Sequence, residues 1–318
     1  MLQSTSLPAA GRARLPSRRT ATVMAASGKT VMITGGNTGI GYETAKVLLA
    51  KGYSVTLACR DASRASNAVQ RLQQQQPGAP VDYLLLDLAD LASVRDAANK
   101  WMDSGKQIDV LLNNAGVMAC PRMETAQGYE YQLGVNHLGH FLWANTLLPL
   151  LKQNPNPVRI VNVASTAHMF GKMDFDDLQS RNNYDRWRAY GQSKLANILF
   201  TYELARKLQP SSSITANCLH PGVVRTELSR YLMTDPDALT SKLLTALFTP
   251  FTLSPEQGAL TNIYCCSSPD VEGISGKYYD SCKPVASTPA SYDTATAAKL
   301  WSVSEELTQA YAKAPAAV

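Results

Sequence analysis

Tyr190 and Lys194 stand four residues apart in Ala189-Tyr-Gly-Gln-Ser-Lys-Leu-Ala-Asn197. A helical pattern there puts both side chains on one face, one turn apart. A free phenol, with a pKa near ~10, is a poor acid or base at neutral pH. A fixed ammonium beside it favours the phenolate and draws that pKa toward the working range. The pair alone says little, because helices produce such spacings by chance. Here it lies downstream of a glycine-rich loop and of a serine closing an apolar strand, and the three together imply an oxidoreductase.

That serine ends Arg159-Ile-Val-Asn-Val-Ala-Ser165. It sits at a strand's carboxyl end, where open α/β sheets bind ligands. Ser165 can hydrogen-bond a carbonyl oxygen there without acting as a nucleophile. Hydrolysis would need a G-x-S-x-G elbow followed in order by an acid and a histidine. Ser165 lacks that setting. His168 and His220 are available, but neither has metal-ligand spacing to another histidine, and no metal is expected.

The glycine-rich loop is Val31-Met-Ile-Thr-Gly-Gly-Asn-Thr-Gly-Ile-Gly41. Gly35, Gly39 and Gly41 are spaced G-x3-G-x-G, not the commoner G-x-G-x-x-G. Glycine allows a tight turn and a close approach to a pyrophosphate, and the following helix offers unpaired N–H groups. The loop, with Asn37 and Ile40 between its glycines, reads as a dinucleotide site; the alternative is a plain strand–helix turn. The second strand ends Thr56-Leu-Ala-Cys-Arg60. An NAD enzyme would set an acid there, about 20 residues beyond the loop, for the ribose 2′-hydroxyl. Arg60 suits a 2′-phosphate instead, and Cys59 adds no fixed negative charge, although Asp61 follows at once. The expected cofactor is NADP(H). Asp87, ending the third strand, suits the adenine edge or a helix-capping turn.

The elements that must position these groups alternate along the chain. Apolar runs at 30–34, 54–58, 81–86, 110–112, 159–163 and 215–219 read as strands. Between them, 41–51, 62–74, 91–102, 134–151 and 189–208 have helical length and pattern, and 297–307 reads as a docked terminal helix. Continuously apolar strands alternating with helices imply an α/β fold, a parallel sheet covered on both faces. No linker divides it, so one domain is expected over 28–312. Two stretches depart from the rhythm: a polar insertion at 166–187, and 229–255, which carries Leu243, Leu244, Leu247, Phe248 and Phe251. The second could be a substrate lid, a membrane-surface contact or a packed helix.

Composition narrows the partners. The chain has 318 residues and a formal net charge of +5. Arg12, Arg14, Arg18 and Arg19 supply four of those charges, leaving +1, and the first acid is Glu43. Nucleic acid binding gains no support. Residues 1–27 are rich in Ser, Thr, Ala and Arg and lack a continuous apolar core, which resembles an organelle transit peptide. A chloroplast address is expected, with mitochondrion or cytoplasm as alternatives; a disordered tail with no address is the plainer reading. Six scattered cysteines form no Cys-x-x-Cys pair, so neither zinc nor a disulfide framework follows. No apolar run reaches the ~18 residues of a membrane span.

Thr34-Gly35-x3-Gly39-x-Gly41, Asn113-Asn114-Ala115-Gly116, Asn136, Ser165, Tyr190-x3-Lys194 and Pro221-Gly222 resemble, in kind and order, the motifs of the short-chain dehydrogenases/reductases. The resemblance covers about residues 28–310. Leu112-Asn-Asn-Ala-Gly-Val-Met-Ala-Cys-Pro121, Asn136-His-Leu-Gly-His140, Ser193-Lys-Leu-Ala-Asn197 and His220-Pro-Gly-Val-Val224 are similar, more narrowly, to the retinol dehydrogenase branch. That branch includes a chloroplast enzyme associated with the inner-envelope import translocon, and protochlorophyllide reductase is a relative.

The resemblance implies a Rossmann-type doubly wound sheet and a set of roles. Ser165 would orient the substrate carbonyl, and Tyr190 would give or take the proton. Lys194 would lower the tyrosine's pKa and bind the nicotinamide ribose, and Asn136 would hold a relay water. Asn114, Ala115 and Gly116 would stabilise the sheet and flank the adenine ribose, Pro221, Gly222 and Val223 would contact the cofactor, and Thr226 would hold the carboxamide. The activity implied is NADP(H)-dependent hydride transfer to or from an apolar carbonyl or alcohol, retinal-, carotenoid- or tetrapyrrole-like. An NADPH-sensing or translocon-associated subunit and a protochlorophyllide reductase-like activity are the alternatives. A small-molecule substrate is expected; peripheral membrane contact and self-assembly stay open.

Overall fold

Runs of Val, Ile and Leu become strands here because β-branched and apolar side chains fit a pleated layer covered on both faces. A computed structural model describes residues 28–208, 213–224 and 252–312. Its sheet has eight strands: β1 Thr30–Thr34, β2 Ser54–Cys59, β3 Val81–Leu85, β4 Val110–Asn113, β5 Val158–Val163, β6 Ile214–Leu219, β7 Tyr278–Asp280 and β8 Lys283–Val285. Their order is β3-β2-β1-β4-β5-β6-β7-β8, parallel except for the β7–β8 pair. β1 pairs with β2 on one side (Val31 opposite Val55) and with β4 on the other (Val31 opposite Val110). The chain therefore reverses its direction of travel between β1 and β4. The crevice beyond the carboxyl ends at such a switch is where this class of sheet binds ligands.

Helices α1 Gly39–Ala50, α2 Ala62–Gln75 and α3 Leu91–Asp103 link the first strands. A longer helix starts as α4 Tyr131–Leu133, passes through a π turn at Gly134–Leu138 and continues as α5 Gly139–Lys152. Then come α6 Arg186–Leu208, α7 Pro255–Ser267 and α8 Thr294–Thr308. Side chains alternate across the sheet, as the strand period of two requires. Val31 and Ile33 enter one core with Leu48 of α1, Leu72 of α2 and Cys266 of α7. Met32 enters the other with Val94 of α3, Leu147 of α5 and Phe200 of α6. The single-domain α/β sheet expected from the sequence is the observed one, with strand boundaries within a residue or so.

Three elements were not expected. β7 and β8 have three residues each, too short for an alternation to register. In α7, Gly258, Thr261 and Asn262 interrupt any apolar stripe, and all three are buried. Its readable signal is at the start: Ser254 and Gln257 form a capping box around Pro255. Residues 1–27 and most of the expected insertion at 229–255 lie outside the described residues, and Leu243, Leu244, Leu247, Phe248 and Phe251 with them. The two sides of that insertion meet, since Leu253 N–H donates to the Val223 carbonyl at 2.8 Å. Among the described residues no helix is long and apolar enough to cross a membrane.

Candidate active site

A cavity of about 900 Å³ runs across the carboxyl ends of the strands at the switch point. Gly35, Asn37, Gly39 and Ile40 form its floor after β1. Gly35 has φ +66°, and a Cβ there would lie 3.0 Å from both Cα and Cβ of Ala115. A Cβ at Gly41, which does not itself line the cavity, would lie 2.6 Å from Asn114 Nδ2 and from the Gly35 carbonyl. The loop thus needs glycine because the turn after β4 packs directly on it. Asn114 Nδ2 donates to the Thr34 carbonyl at 2.9 Å. Thr38, which starts α1, makes no side-chain cap, and the first turn of α1 holds no acid. Such a helix start, with its N–H groups and dipole, suits an anion.

At one end of the cavity, Arg60 follows β2 and Arg64 stands one turn into α2; both line the wall. Asp61, which the sequence left as a competing charge, is the N-cap of α2 and accepts the Arg64 N–H at 2.9 Å. Burial pushes the Cys59 thiol up to about 11, so it stays neutral. The end of β2 therefore presents two guanidiniums and one engaged carboxylate. Arg64 was not anticipated, and an Arg one helical turn beyond an Arg at a strand end is its signal. Asp87 lines the same end, and its Oδ1 accepts the Ala89 N–H at 2.9 Å. That is the turn role, realised on the cavity wall.

Ser165, Tyr190 and Lys194 meet at the middle of the cavity. Ser165 is extended and caps a 3-10 turn, Thr166–Phe170, with Oγ accepting the Ala167 N–H at 3.2 Å. Lys194 is 3% exposed; its Nζ donates to the Val163 carbonyl at 3.1 Å and lies 5.8 Å from the Tyr190 ring centroid. A buried polar ladder holds α6 at this height: Asn113 Nδ2 donates to Asn162 Oδ1 (2.8 Å), and Asn162 Nδ2 to Thr201 Oγ1 (2.9 Å). One expectation is corrected. Burial pushes Tyr190 up to about 12, although its hydrogen bond to Ser165 opposes this, and burial lowers Lys194 to about 8. Desolvation outweighs the Ser165 hydrogen bond, so Tyr190 is a phenol here, poised as a proton donor.

Asn136 is buried between the turn after β4 and α6. Its Oδ1 accepts the Val117 N–H at 2.8 Å, and its Nδ2 donates to the Val117 carbonyl and to Ser193 Oγ, both at 2.9 Å. The carboxamide ties the turn after β4 to α6. Ala115, Gly116, Pro221, Gly222 and Val223 line the cavity, whereas Thr226 lies outside the described residues. Gly222 has φ +81°, and its N–H donates to His220 Nδ1 at 3.1 Å, with His220 Nε2 3.2 Å from Asp280. His220 thus fixes the turn. His168 is likewise structural, with Nδ1 2.6 Å from the Ser165 carbonyl and Nε2 accepting the Thr288 N–H.

The far end of the cavity is apolar, and its described wall comes from the insertion that reads as polar. Met169, Phe170 and Trp187 line it at 67%, 56% and 41% exposure, opposite Val223. Phe170 lies on α6 because residue 191 is glycine: a Cβ there would be 2.8 Å from Phe170 Cε2. Met169-Phe170, just past Ser165, was the available signal.

The model of the short chain dehydrogenase family matches residues 29–237. Human retinol dehydrogenase 14 is 45% identical over 291 residues, covering 87% of this chain and 85% of that one. Among solved structures, a protein of Mycobacterium paratuberculosis matches with TM-score 0.72 at 35% identity, over 91% of this chain and 96% of that one. Pseudomonas aeruginosa RhlG, in an active-site complex with NADP, matches with TM-score 0.62 at 26% identity, over 80% and 95%. The chain belongs to the short-chain dehydrogenase/reductase family, in its retinol dehydrogenase-like branch, and is an oxidoreductase acting on CH–OH or C=O groups.

Proposed function

We propose that this oxidoreductase uses NADP(H) and reduces the carbonyl of an apolar substrate. One observation carries the reading: one cavity is lined by two arginines that follow β2 and, three strands along the sheet, by Ser165, Tyr190 and Lys194, with Met169, Phe170 and Trp187 also on its wall. The engaged Asp61 supports NADP(H) over NAD(H), as does the NADP in the active-site complex of RhlG. The residues fit the cofactor, with the glycine loop and uncapped α1 suited to its pyrophosphate and Arg60 and Arg64 to its 2′-phosphate. When bound, the cofactor supplies a hydride to the carbonyl carbon. Tyr190 gives its phenolic proton to the carbonyl oxygen, which Ser165 holds by a hydrogen bond, and an alcohol leaves. The Lys194 ammonium stabilises the phenolate left behind.

Following NADPH absorbance with a panel of short polar and long apolar aldehydes and ketones tests the reading. Turnover only of polar compounds, or only with NADH, would count against it. We further propose that 28–312 is the reductase unit and 1–27 a plastid address, on the strength of the acid-free Ser/Arg composition of that stretch. A reporter fused to residues 1–27 should accumulate in chloroplasts, and a diffuse cytosolic signal would defeat the address alone.

A further inference from the structure

Thr34 and His140 are 106 residues apart in sequence and in direct contact between the glycine loop and the π turn. Thr34 ends β1, and His140 is the second residue of α5, one turn beyond Asn136; both are buried. Thr34 Oγ1 accepts two backbone N–H groups, from Asn114 at 2.9 Å and Ala115 at 3.0 Å. A hydroxyl has two acceptor positions and one proton. Its proton is therefore left for His140 Nε2, 2.9 Å away. Nε2 is the acceptor, so the ring proton sits on Nδ1, which donates to the Asn136 carbonyl at 3.1 Å. Only a neutral imidazole in this tautomer serves both ends. Burial, aided by the Lys194 ammonium, holds the ring neutral, with its pKa lowered to about 4.

The chain of bonds continues to the reacting groups. Asn136 Nδ2 donates to Ser193 Oγ at 2.9 Å, and Ser193 Oγ donates to the Tyr190 carbonyl at 2.8 Å. The π turn at Gly134–Leu138 has Asn136 at its centre. One extra residue in that turn is a local departure from the helix that something must hold. We propose that His140 is a positioning residue for hydride transfer: it ties the base of the glycine loop to the π turn, and so fixes the spacing between the cofactor-facing backbone and the helix that carries Tyr190 and Lys194. This rests on the hydride-transfer reading above. A residue that only filled the core would need neither ring nitrogen.

The test compares His140→Leu, His140→Gln and Thr34→Val, with the His140→Leu/Thr34→Val double variant, in the full chain. Leucine removes both bonds, whereas the glutamine amide can accept from Thr34 and donate to the Asn136 carbonyl. His140→Leu should weaken NADPH binding and lower kcat, each by about tenfold, the scale of a buried polar group left unpaired. His140→Gln should recover most of both losses; Thr34→Val also strips the acceptor from the Asn114 and Ala115 N–H groups and should lose more, and the double variant should be little worse than Thr34→Val alone. Unchanged kcat and NADPH affinity beside a lowered melting temperature would overturn the proposal, as would fully additive losses. Nitrogen-15 NMR of histidine-labelled protein reads the device without turnover, even if a variant fails to fold. A His140 ring protonated on Nδ1 alone is expected, and a proton on Nε2 would overturn the assignment. Absence of carbonyl turnover in the unaltered protein would count against the function, and the NMR result would still judge the bridge.

Discussion

Phe170 rests on Gly191, the residue after the proposed proton donor, at a distance that leaves no room for a methyl group. The neighbour that would be hit at 2.8 Å is a ring edge, and the Ala167 carbonyl lies only 3.0 Å from the same point. Gly191→Ala must therefore push the Phe170 ring into the apolar end of the cavity or lift the 3-10 turn carrying Ser165. A long apolar carbonyl should lose at least about tenfold in kcat/KM, while a short one loses much less, because a displaced wall is felt only by a substrate that reaches it. Equal losses for both, with cofactor binding kept, would place the damage at Ser165 and remove Phe170 from the substrate wall.

Arg60 governs the other end. Its Nη1 donates to Tyr131 Oη at 3.3 Å, which holds the guanidinium toward the cavity. Arg60→Ala should raise the NADPH dissociation constant about tenfold, the scale of one lost charge-assisted hydrogen bond, with NADH binding little changed. Because Arg64 stands beside it on the wall, the Arg60→Ala/Arg64→Ala variant should lose more than either alone and approach equal affinity for the two cofactors. Isothermal titration with both nucleotides checks this. Parallel losses for NADPH and NADH would mean that neither arginine reads the 2′-phosphate.

How much of this was legible in the sequence follows the range of each interaction. The glycines and the Tyr190–Lys194 spacing are local patterns, so the strands, the loop and the catalytic helix were readable. Asp61 shows the limit: an acid beside Arg60 reads as a charge conflict until the start of α2 is known, and then it is a cap. Met169 and Phe170 were hidden because the surrounding insertion is polar, and only the fold turns them to the cavity. His140 could not be assigned at all, since its partner lies 106 residues away. The expected drop in the Tyr190 pKa failed for a related reason. Spacing gave the proximity of the lysine, but the competing desolvation depends on how deeply both groups are buried.

Tyr190→Phe keeps the ring and removes the proton. Burial holds Tyr190 at about 12, so the phenol is fully protonated at neutral pH and available as the acid. The variant should lose at least ~100-fold in kcat, the scale of general acid catalysis, with NADPH affinity nearly unchanged. For the unaltered enzyme, reduction should be level with pH near neutrality and fall as the pH rises through about 8, where Lys194 loses its charge. A Tyr190→Phe enzyme at full speed would exclude Tyr190 as the donor.

Lys194 carries a stability cost that the same numbers expose. Its folded pKa is lowered from 10.5 to about 8 by burial, so the folded state resists the charge that the unfolded chain accepts freely. Between those values the unfolded state binds the extra proton, and stability therefore rises as pH climbs through that window. Lys194→Met removes the buried charge while keeping most of the volume, and the Val163 carbonyl keeps a donor in Asn197 Nδ2 at 3.3 Å. The variant should be inactive yet more stable than the parent at pH 7, by on the order of 3 kcal/mol at most, from about 1.4 kcal/mol per pKa unit. The advantage should shrink from pH 8 upward and vanish above about pH 10.5. Urea unfolding of both proteins across that range decides the matter. A methionine variant that is less stable at pH 7, by a margin that does not change with pH, would show that the ammonium is better accommodated by its carbonyl partner than its burial implies.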